Sequence, residues 1–332
     1  MPILEFASID DVLGPREGRF LGEGFKRVER SLRDLTVSPG DEGVGGIEAT
    51  ARVATPGVWS RKGRRQPKPH LSTIDAMLFA AQLTGLYAAH TFQLAPGSRF
   101  TVQSVELKAG SRPDEDALEN LPVSGRLVGA HRSGDERTTT LECRIGSLSA
   151  RVRAGHGAGR AQARTSGMYH LPEELPGPWN NAPFGVRHDA RRQLLTGVRV
   201  DADDVRACAR VTLAPHRTAA LPPAAPASVI DAFVAAMQLG QALLYTLDDI
   251  DRAQSNNLWM RRTRITADVA PDRLDDEVNV LLEGAMLLPS SDGTWRSAEV
   301  VGSLHGVRTR AGVAHLLPRS AALAAPSPRR KS

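Results

Sequence analysis

One stretch of the chain occurs twice, and its two copies lie 156 residues apart (228 − 72). Residues 72–83 read STIDAMLFAAQL and residues 228–239 read SVIDAFVAAMQL, with seven of twelve positions identical. A Gly-Ser-Leu triplet at 146–148 returns at 302–304 with the same offset. Solenoid repeats have units of roughly 20–50 residues. The longer period indicates one domain-sized unit that was duplicated and fused.

Each copy is predicted to form a helix that is apolar nearly all round. Counting tyrosine as apolar, the polar side chains within 76–89 and 232–245 are Gln82, Thr84, Gln238 and Gln241. A helix without a polar face must be buried. Both helices are therefore expected in the core of their unit.

Strand-like segments surround both helices, rich in Val, Ile, Thr and Leu and separated by Gly, Asp and Ser. They are predicted at 43–55, 100–108, 121–130, 138–147, 148–153, 194–200, 205–213, 258–269, 277–288, 295–304 and 307–316. One buried helix among about five antiparallel strands indicates a curved sheet wrapped around it, which is the hotdog architecture. The fold class is predicted to be α+β, a double hotdog whose two modules pair as a pseudo-dimer.

The predicted boundaries follow the composition. The first module covers 1–155, a Gly- and Pro-rich linker 156–189, the second module 190–318, and a disordered basic tail 319–332. The two cysteines lack metal-ligand spacing, which argues against a zinc site and favours reduced thiols in a cytoplasmic protein. No signal peptide is expected, and the apolar runs look too short for a membrane span.

Asp75 and Asp231 lie near the starts of the two helices and are candidate acid/base carboxylates. A carboxyl shielded from water can exchange protons near neutral pH. Ser72-x-x-Asp75 and Ser228-x-x-Asp231 also fit capping boxes, in which the Asp is purely structural. Both interpretations remain open from sequence.

Gln82 and Gln238 each follow their Asp by seven residues, two helical turns on, and so project from the same helix face. They could form the wall of a binding site, or bond a neighbouring strand backbone, because a buried amide needs a partner.

Two histidines precede the helices. His216 opens a proline-rich loop fifteen residues before Asp231, and His70 lies five residues before Asp75. A rigid loop could fix an imidazole near a helix N-terminus. We predict that both take part in catalysis.

A basic loop at 61–68 precedes the first helix. Its Arg64 and Arg65 could bind a phosphate-bearing substrate or dock an acidic acyl carrier protein, although a solvated loop is the commoner explanation. Aromatic residues are only 5% and do not alternate with the basic ones, which argues against nucleic-acid binding.

The helix starts resemble those of hotdog dehydratases. The His70-to-Asp75 spacing is similar to the His-Pro-x-x-x-Asp-Ala-x-x-Gln pattern of polyketide dehydratases. His216 with its prolines resembles the His-Phe-Pro loop of carrier-protein dehydratases. The first half departs from that second pattern, because Ser60 stands fifteen residues before Asp75. Two equal sites of that kind are therefore excluded.

The layout of two repeats also resembles the A-factor synthase type and, more closely, the avirulence D (AvrD) family. The opening Ile9-Asp-Asp-Val-Leu-Gly-Pro15, with Gly18-Arg-Phe20 and Gly22-Glu-Gly-Phe25-Lys-Arg, looks AvrD-like. The resemblance implies a biosynthetic enzyme that transfers a β-ketoacyl chain from a thioester to a sugar-like or polyol hydroxyl, giving a lactone precursor. Dehydration of a β-hydroxyacyl thioester and non-catalytic small-molecule binding are the alternatives.

The resemblance to hotdog enzymes implies that the histidine and the acid come from opposite modules. His216 is then expected to work with Asp75, and His70 with Asp231, in one competent and one degenerate site. No cofactor or metal is expected, since an acyl carrier protein or CoA thioester is the activated substrate. A pseudo-dimeric monomer or a homodimer is predicted, with no nucleic-acid or membrane partner.

Overall fold

The structure, a computed structural model, describes residues 3–110, 112–216, 226–268 and 276–318. Within these ranges the helices are α1 (Ile9–Leu13), α2 (Thr73–Thr91) and α3 (Val229–Leu247). The strands are β1 (Leu4–Ser8), β2 (Glu29–Ser38), β3 (Gly46–Ala54), β4 (Phe100–Lys108), β5 (Leu121–Ser133), β6 (Glu136–Ile145), β7 (Leu148–Gly157), β8 (Gly167–Tyr169), β9 (Arg191–Asp201), β10 (Arg206–Pro215), β11 (Trp259–Ala267), β12 (Glu277–Ser290), β13 (Gly293–Leu304) and β14 (Val307–Leu316).

All strands join one antiparallel sheet whose order is β1-β9-β10-β12-β13-β14-β11-β4-β7-β6-β5-β3-β2-β8. The chain order strand–strand–helix–four strands occurs twice, in β2 to β7 around α2 and in β9 to β14 around α3. The two halves meet where β4 pairs with β11, with Val105 opposite Ile265. The predicted double hotdog is confirmed, and its two sheets are continuous.

The two long helices are buried as their composition predicts. Each packs against the six strands of its own half. Within 76–89 every residue except Gln82 is buried. Among the described helices, α3 alone has the length and apolar composition of a membrane span, but 89% of its most apolar window is buried inside the protein. That burial is the pattern of a core helix, so the span is weakly supported.

Only part of the sequence repeat is structurally equivalent. The first triplet, at 146–148, contains the turn between β6 and β7, whereas the second, at 302–304, ends β13. The connection from helix to next strand covers 92–99 in the first half and 248–258 in the second, three residues more. β4 and β11 therefore begin 159 residues apart (259 − 100), and so do β7 and β14 (307 − 148). The shared Gly-Ser-Leu is a coincidence of sequence.

The N-terminal segment of the chain packs on the second module. β1 pairs with β9, and α1 contacts α3, so residues 4–13 pack on the second module instead of the first. The predicted linker is partly ordered, because β7 extends to Gly157 and β8 pairs with β2. The predicted tail 319–332 lies outside the described residues, as do 217–225 of the proline-rich loop.

Candidate active site

α2 begins with a complete capping box that also holds a buried ion pair. Ser72 Oγ accepts from the Asp75 N–H at 3.2 Å, and Asp75 Oδ2 accepts from the Ser72 N–H at 2.7 Å. Asp75 is fully buried, and its Oδ1 accepts from Arg30 Nε at 2.6 Å. All these contacts orient or neutralise the carboxylate, which is what a structural cap requires.

α3 begins in the same way. Ser228 Oγ accepts from the Asp231 N–H at 3.2 Å, and Asp231 accepts from Arg191 Nη1 at 3.2 Å and from Gln193 Nε2 at 2.7 Å. Arg191 is the first residue of β9, and Arg30 is the second residue of β2, so the two arginines occupy similar places in the two modules. A repeated cap with a repeated arginine explains why the Asp occurs in both copies.

The Arg30 guanidinium also contacts His188, whose Nε2 lies 2.9 Å from Arg30 Nη1. Burial, and then the charge of Arg30, lower the pKa of His188 to about 4. A histidine that faces a cation in a shielded place stays neutral in the folded protein.

We expect acid to destabilise the protein partly through His188. The unfolded histidine has a pKa of about 6.5, and the folded one about 4. The unfolded state therefore binds more protons between these values, and stability falls as the pH falls through that window. Urea midpoints at about pH 7 and about pH 5 should differ less in His188→Gln than in the wild type. Equal differences would contradict this assignment.

A cavity of about 160 Å³ lies at the junction of the modules, against the N-terminus of α2. Ser72, Thr73 and Ile74 of that helix line it, and Phe233 and Gln241 of α3 line it from the other module. A dry engineered cavity of about 150 Å³ accepts benzene, so this one has room for a group of similar size. Ser60, at the position where the second half has His216, is buried in its wall.

The charged residues in the lining are all basic. Arg19, Lys62, Arg112 and Arg252 line the cavity together with His70, and no Asp or Glu is among its described lining residues. Arg19 is 3% exposed and is held by Gln238 Oε1 at 2.7 Å from its Nη1 and by the Asp10 carboxylate. Its Nε is buried without a hydrogen-bond partner. A buried donor of this kind is costly unless a ligand completes it.

The predicted site residues are distributed unevenly around this cavity. His70 lines it, with its ring 4.5 Å from that of Trp59 and Nδ1 3.2 Å from Lys68 O. Gln238 borders it through Arg19, whereas Gln82 is not among its described lining residues and donates to Asn180 O of the linker at 2.5 Å. Arg64 and Arg65 are exposed on the loop outside the described lining.

His216 lies at the other helix, and the predicted pairing with Asp75 is not formed among the described contacts. Its Nδ1 lies 2.8 Å from Asp189 O and its Nε2 lies 3.1 Å from Glu23 Oε2. Glu23 comes from the first half of the chain, so His216 contacts a carboxyl group of the opposite half, but not that of the predicted Asp75. The predicted His70–Asp231 pair is likewise absent from those contacts, because Asp231 is bonded to Arg191, Gln193 and Ser228.

Glu23 is the centre of a compact charged cluster. Its Oε1 lies 3.4 Å from Lys26 Nζ and 3.4 Å from Arg192 Nε. Burial lowers the pKa of Lys26, against the opposing effect of Glu23. His216, Glu23 and Lys26 are all at most 8% exposed. The described residues contain no group of three or more His, Cys, Asp or Glu that could hold a metal ion.

Sequence reasoning missed Glu23, Lys62, Arg19 and Arg252 as site residues. Glu23 and Arg19 stand in the opening motif, and Lys62 in the basic loop, but the motifs alone assign no role to these three residues. No neighbouring sequence pattern identifies these residues as part of a site, because their partners lie far along the chain. Lys62 contacts Ser255, and Arg252 contacts Ser60.

Solved structures with similar folds include a thioesterase and a dehydratase domain. The tesB protein of Mycobacterium avium subs paratuberculosis is 12% identical, with a TM-score of 0.38 and coverage of 82% of this chain and 93% of that chain. An acyl-ACP thioesterase from Bacteroides thetaiotaomicron is 10% identical, with a TM-score of 0.36 and coverage of 87% and 99%. A trans-AT PKS dehydratase domain from Brevibacillus brevis is 10% identical, with a TM-score of 0.35 and coverage of 85% and 98%. Values this low carry no inference about activity.

Family comparison is more informative. No curated protein matches the chain. The family model described as Pseudomonas avirulence D protein (AvrD) matches residues 4–318. That range includes both modules, both capped helices and the opening motif that carries Arg19 and Glu23. The chain therefore belongs to the AvrD family.

Proposed function

We propose that the protein is an enzyme that transfers a β-ketoacyl group from a thioester to the hydroxyl of a sugar-like or polyol acceptor. The observation that carries this proposal is the cavity against the α2 N-terminus, which combines free helix N–H groups, apolar walls and basic side chains. The thioester of CoA or of an acyl carrier protein is already activated, so the reaction requires no further cofactor.

The helix start supplies a place for the thioester carbonyl. The first N–H groups of a helix have no partner inside it. In α2 the Ser72 hydroxyl accepts from Asp75 N–H, which leaves those of Thr73 and Ile74, and both residues line the cavity. Two such donors, aided by the helix dipole, stabilise the oxyanion that forms when an alkoxide attacks the carbonyl.

The walls support the choice of substrate. Four aromatic side chains line the cavity and provide apolar surface for the start of an acyl chain: Phe20, Trp59, Phe233 and Trp259. The guanidinium groups of Arg19, Arg112 and Arg252 favour an anionic group, because planar N–H donors match phosphate oxygens. The phosphate belongs either to the pantetheine arm of the thioester or to the acceptor.

Turnover tests the proposal directly. The protein is incubated with β-ketoacyl-CoA or β-ketoacyl carrier protein and with polyols, free and phosphorylated, and products are read by mass spectrometry. We expect an ester of the acceptor. Tight binding of the thioester without any product would instead favour a non-catalytic binding protein.

Arg19→Met tests the role assigned to the basic wall. Losing one charged hydrogen bond should raise KM for a phosphorylated substrate by roughly 10–100-fold. Asp10, one partner left behind, is 25% exposed and can be hydrated, whereas Gln238 is 2% exposed and loses its bond to Arg19, so the melting temperature of the variant is measured beside KM. Arg16→Met is the matched control, because Arg16 binds the same Asp10 but lies outside the described lining. Equal KM values in the two variants would contradict the assignment.

A second reaction, dehydration of a β-hydroxyacyl thioester, is favoured by the His216–Glu23 contact at the α3 N-terminus. Dehydration needs a base for the α-proton and an acid for the β-hydroxyl, and a histidine beside a carboxyl can serve both steps. Ultraviolet detection of an enoyl product tests it. Enoyl formation that is lost in both His216→Ala and Glu23→Gln would establish dehydration in place of transfer.

A further inference from the structure

Lys62 is held in the cavity by a tight turn and by the opposite module. Its N–H and C=O bond Arg65 at 2.9 and 3.0 Å, which closes a turn over Gly63 and Arg64. Gly63 has φ +57°, and a Cβ there would lie 3.2 Å from Ala253 Cβ. Glycine therefore fits a position that is both left-handed and close to the second module. The turn places the Lys62 side chain on the segment 252–256.

The hydrogen bonds of Lys62 are compatible with a neutral amine. Nζ donates to Ser255 Oγ at 3.3 Å and to Asn256 O. A neutral amine has two N–H bonds and one lone pair. When the amine is neutral, the two acceptors of the second module use both N–H bonds, and the lone pair remains for the cavity that the side chain lines.

The charges around Lys62 also favour the neutral form. Arg252, in the segment after α3, is its charged neighbour, and Ser255 links it to the Tyr245 hydroxyl of α3 at 3.1 Å. The other titratable groups of the described lining are Arg19, Arg112 and His70, none of them acidic. Burial, and then Arg252, lower the pKa of Lys62 to about 7. Enzymes that use lysine as a base bring its pKa to a similar value by the same means.

We propose that Lys62 is the general base that removes the proton from the acceptor hydroxyl, a role that rests on the acyl transfer proposed above. The amine takes the proton as the acceptor oxygen forms a C–O bond to the thioester carbon. The tetrahedral intermediate then breaks its C–S bond, and the Lys62 ammonium returns the proton to the leaving thiolate. The amine is regenerated and no other reactant is needed.

The state of the amine can be measured without turnover. Competitive acetylation of the whole protein with acetic anhydride at a series of pH values, read by peptide mass spectrometry, gives a midpoint for each lysine. Lys62 should react with a midpoint near 7. Lys68 is the matched comparison in the same loop, because its contacts with Glu115 and Asp116 raise its pKa. A Lys62 midpoint equal to that of Lys68 would overturn the proposal.

Two variants distinguish a catalytic role of Lys62 as a base from a purely structural role. Lys62→Arg keeps a donor for Ser255 and Asn256 but cannot accept a proton near neutral pH. It should retain the melting temperature and lose roughly 10²–10⁴-fold in kcat. Lys62→Ala should be partly rescued by added ethylamine, whereas Lys68→Ala should equal the wild type. A fully active Lys62→Arg would overturn the proposal.

A wild type without turnover would refute acyl transfer, while the acetylation midpoint would still report on Lys62.

Discussion

Asp75→Ala is expected to lower the free energy of unfolding by about 3–5 kcal/mol, as is usual when one partner of a buried ion pair is removed. Asp75 is fully buried, and its loss leaves the Arg30 guanidinium, 7% exposed, without its carboxylate. The α2 capping box disappears at the same time. Urea denaturation of the purified variant measures the change.

Asp11→Ala is the matched control, because Asp11 completes the capping box of α1 in an exposed position. It should cost only about 1 kcal/mol. Asp75→Asn keeps a cap and should retain turnover if its fold persists. A stable Asp75→Asn variant whose turnover falls by roughly 10²–10⁴-fold would instead establish Asp75 as the acid/base residue that its sequence position also allows.

Trp179→Ala is expected to destabilise the protein by about 3–5 kcal/mol, the usual cost of truncating a buried aromatic residue. Trp179 is fully buried and donates from Nε1 to Leu175 O at 2.7 Å. Its ring stands edge-to-face with that of Phe100, with 6.1 Å between the ring centroids. Its Cβ lies only 2.1 Å from where a Cβ on Gly85 of α2 would stand. The segment between the modules therefore closes the core over α2.

Trp295→Ala provides the comparison, because that indole is half-buried and bonds Asp292. Its expected cost is smaller by at least about 1–2 kcal/mol. The midpoint of guanidinium denaturation distinguishes the two variants. Similar losses for both would show that Trp179 does not close the core.

The sequence predicts those features that depend on local periodicity. Apolar helices at 73–91 and 229–247 and strands such as β4 and β14 lie within a few residues of their predicted positions. β2 was not predicted, because its alternation is interrupted by a bulge between Arg33 and Thr36. β1 was not predicted either, since it pairs with β9, far along the chain.

The site was harder to predict because it depends on contacts between the halves. The capped Asp was visible as a motif, but its arginine partner lies 45 residues before it in one half and 40 in the other. The composition of the basic loop points to Arg64 and Arg65, which are exposed, whereas Lys62 lines the cavity. Composition cannot show which side chains of a tight turn face the cavity and which face solvent.

The central claim is that the acyl thioester reacts against the N-terminus of α2. A crystal structure with a β-ketoacyl pantetheine analogue, whose thioester is replaced by a stable thioether ketone, tests it most directly. We predict that the acyl group lies between Trp59 and Phe233, with its carbonyl oxygen accepting from the N–H groups of Thr73 and Ile74. An analogue bound beside His216 and Glu23 at the N-terminus of α3 would contradict the account.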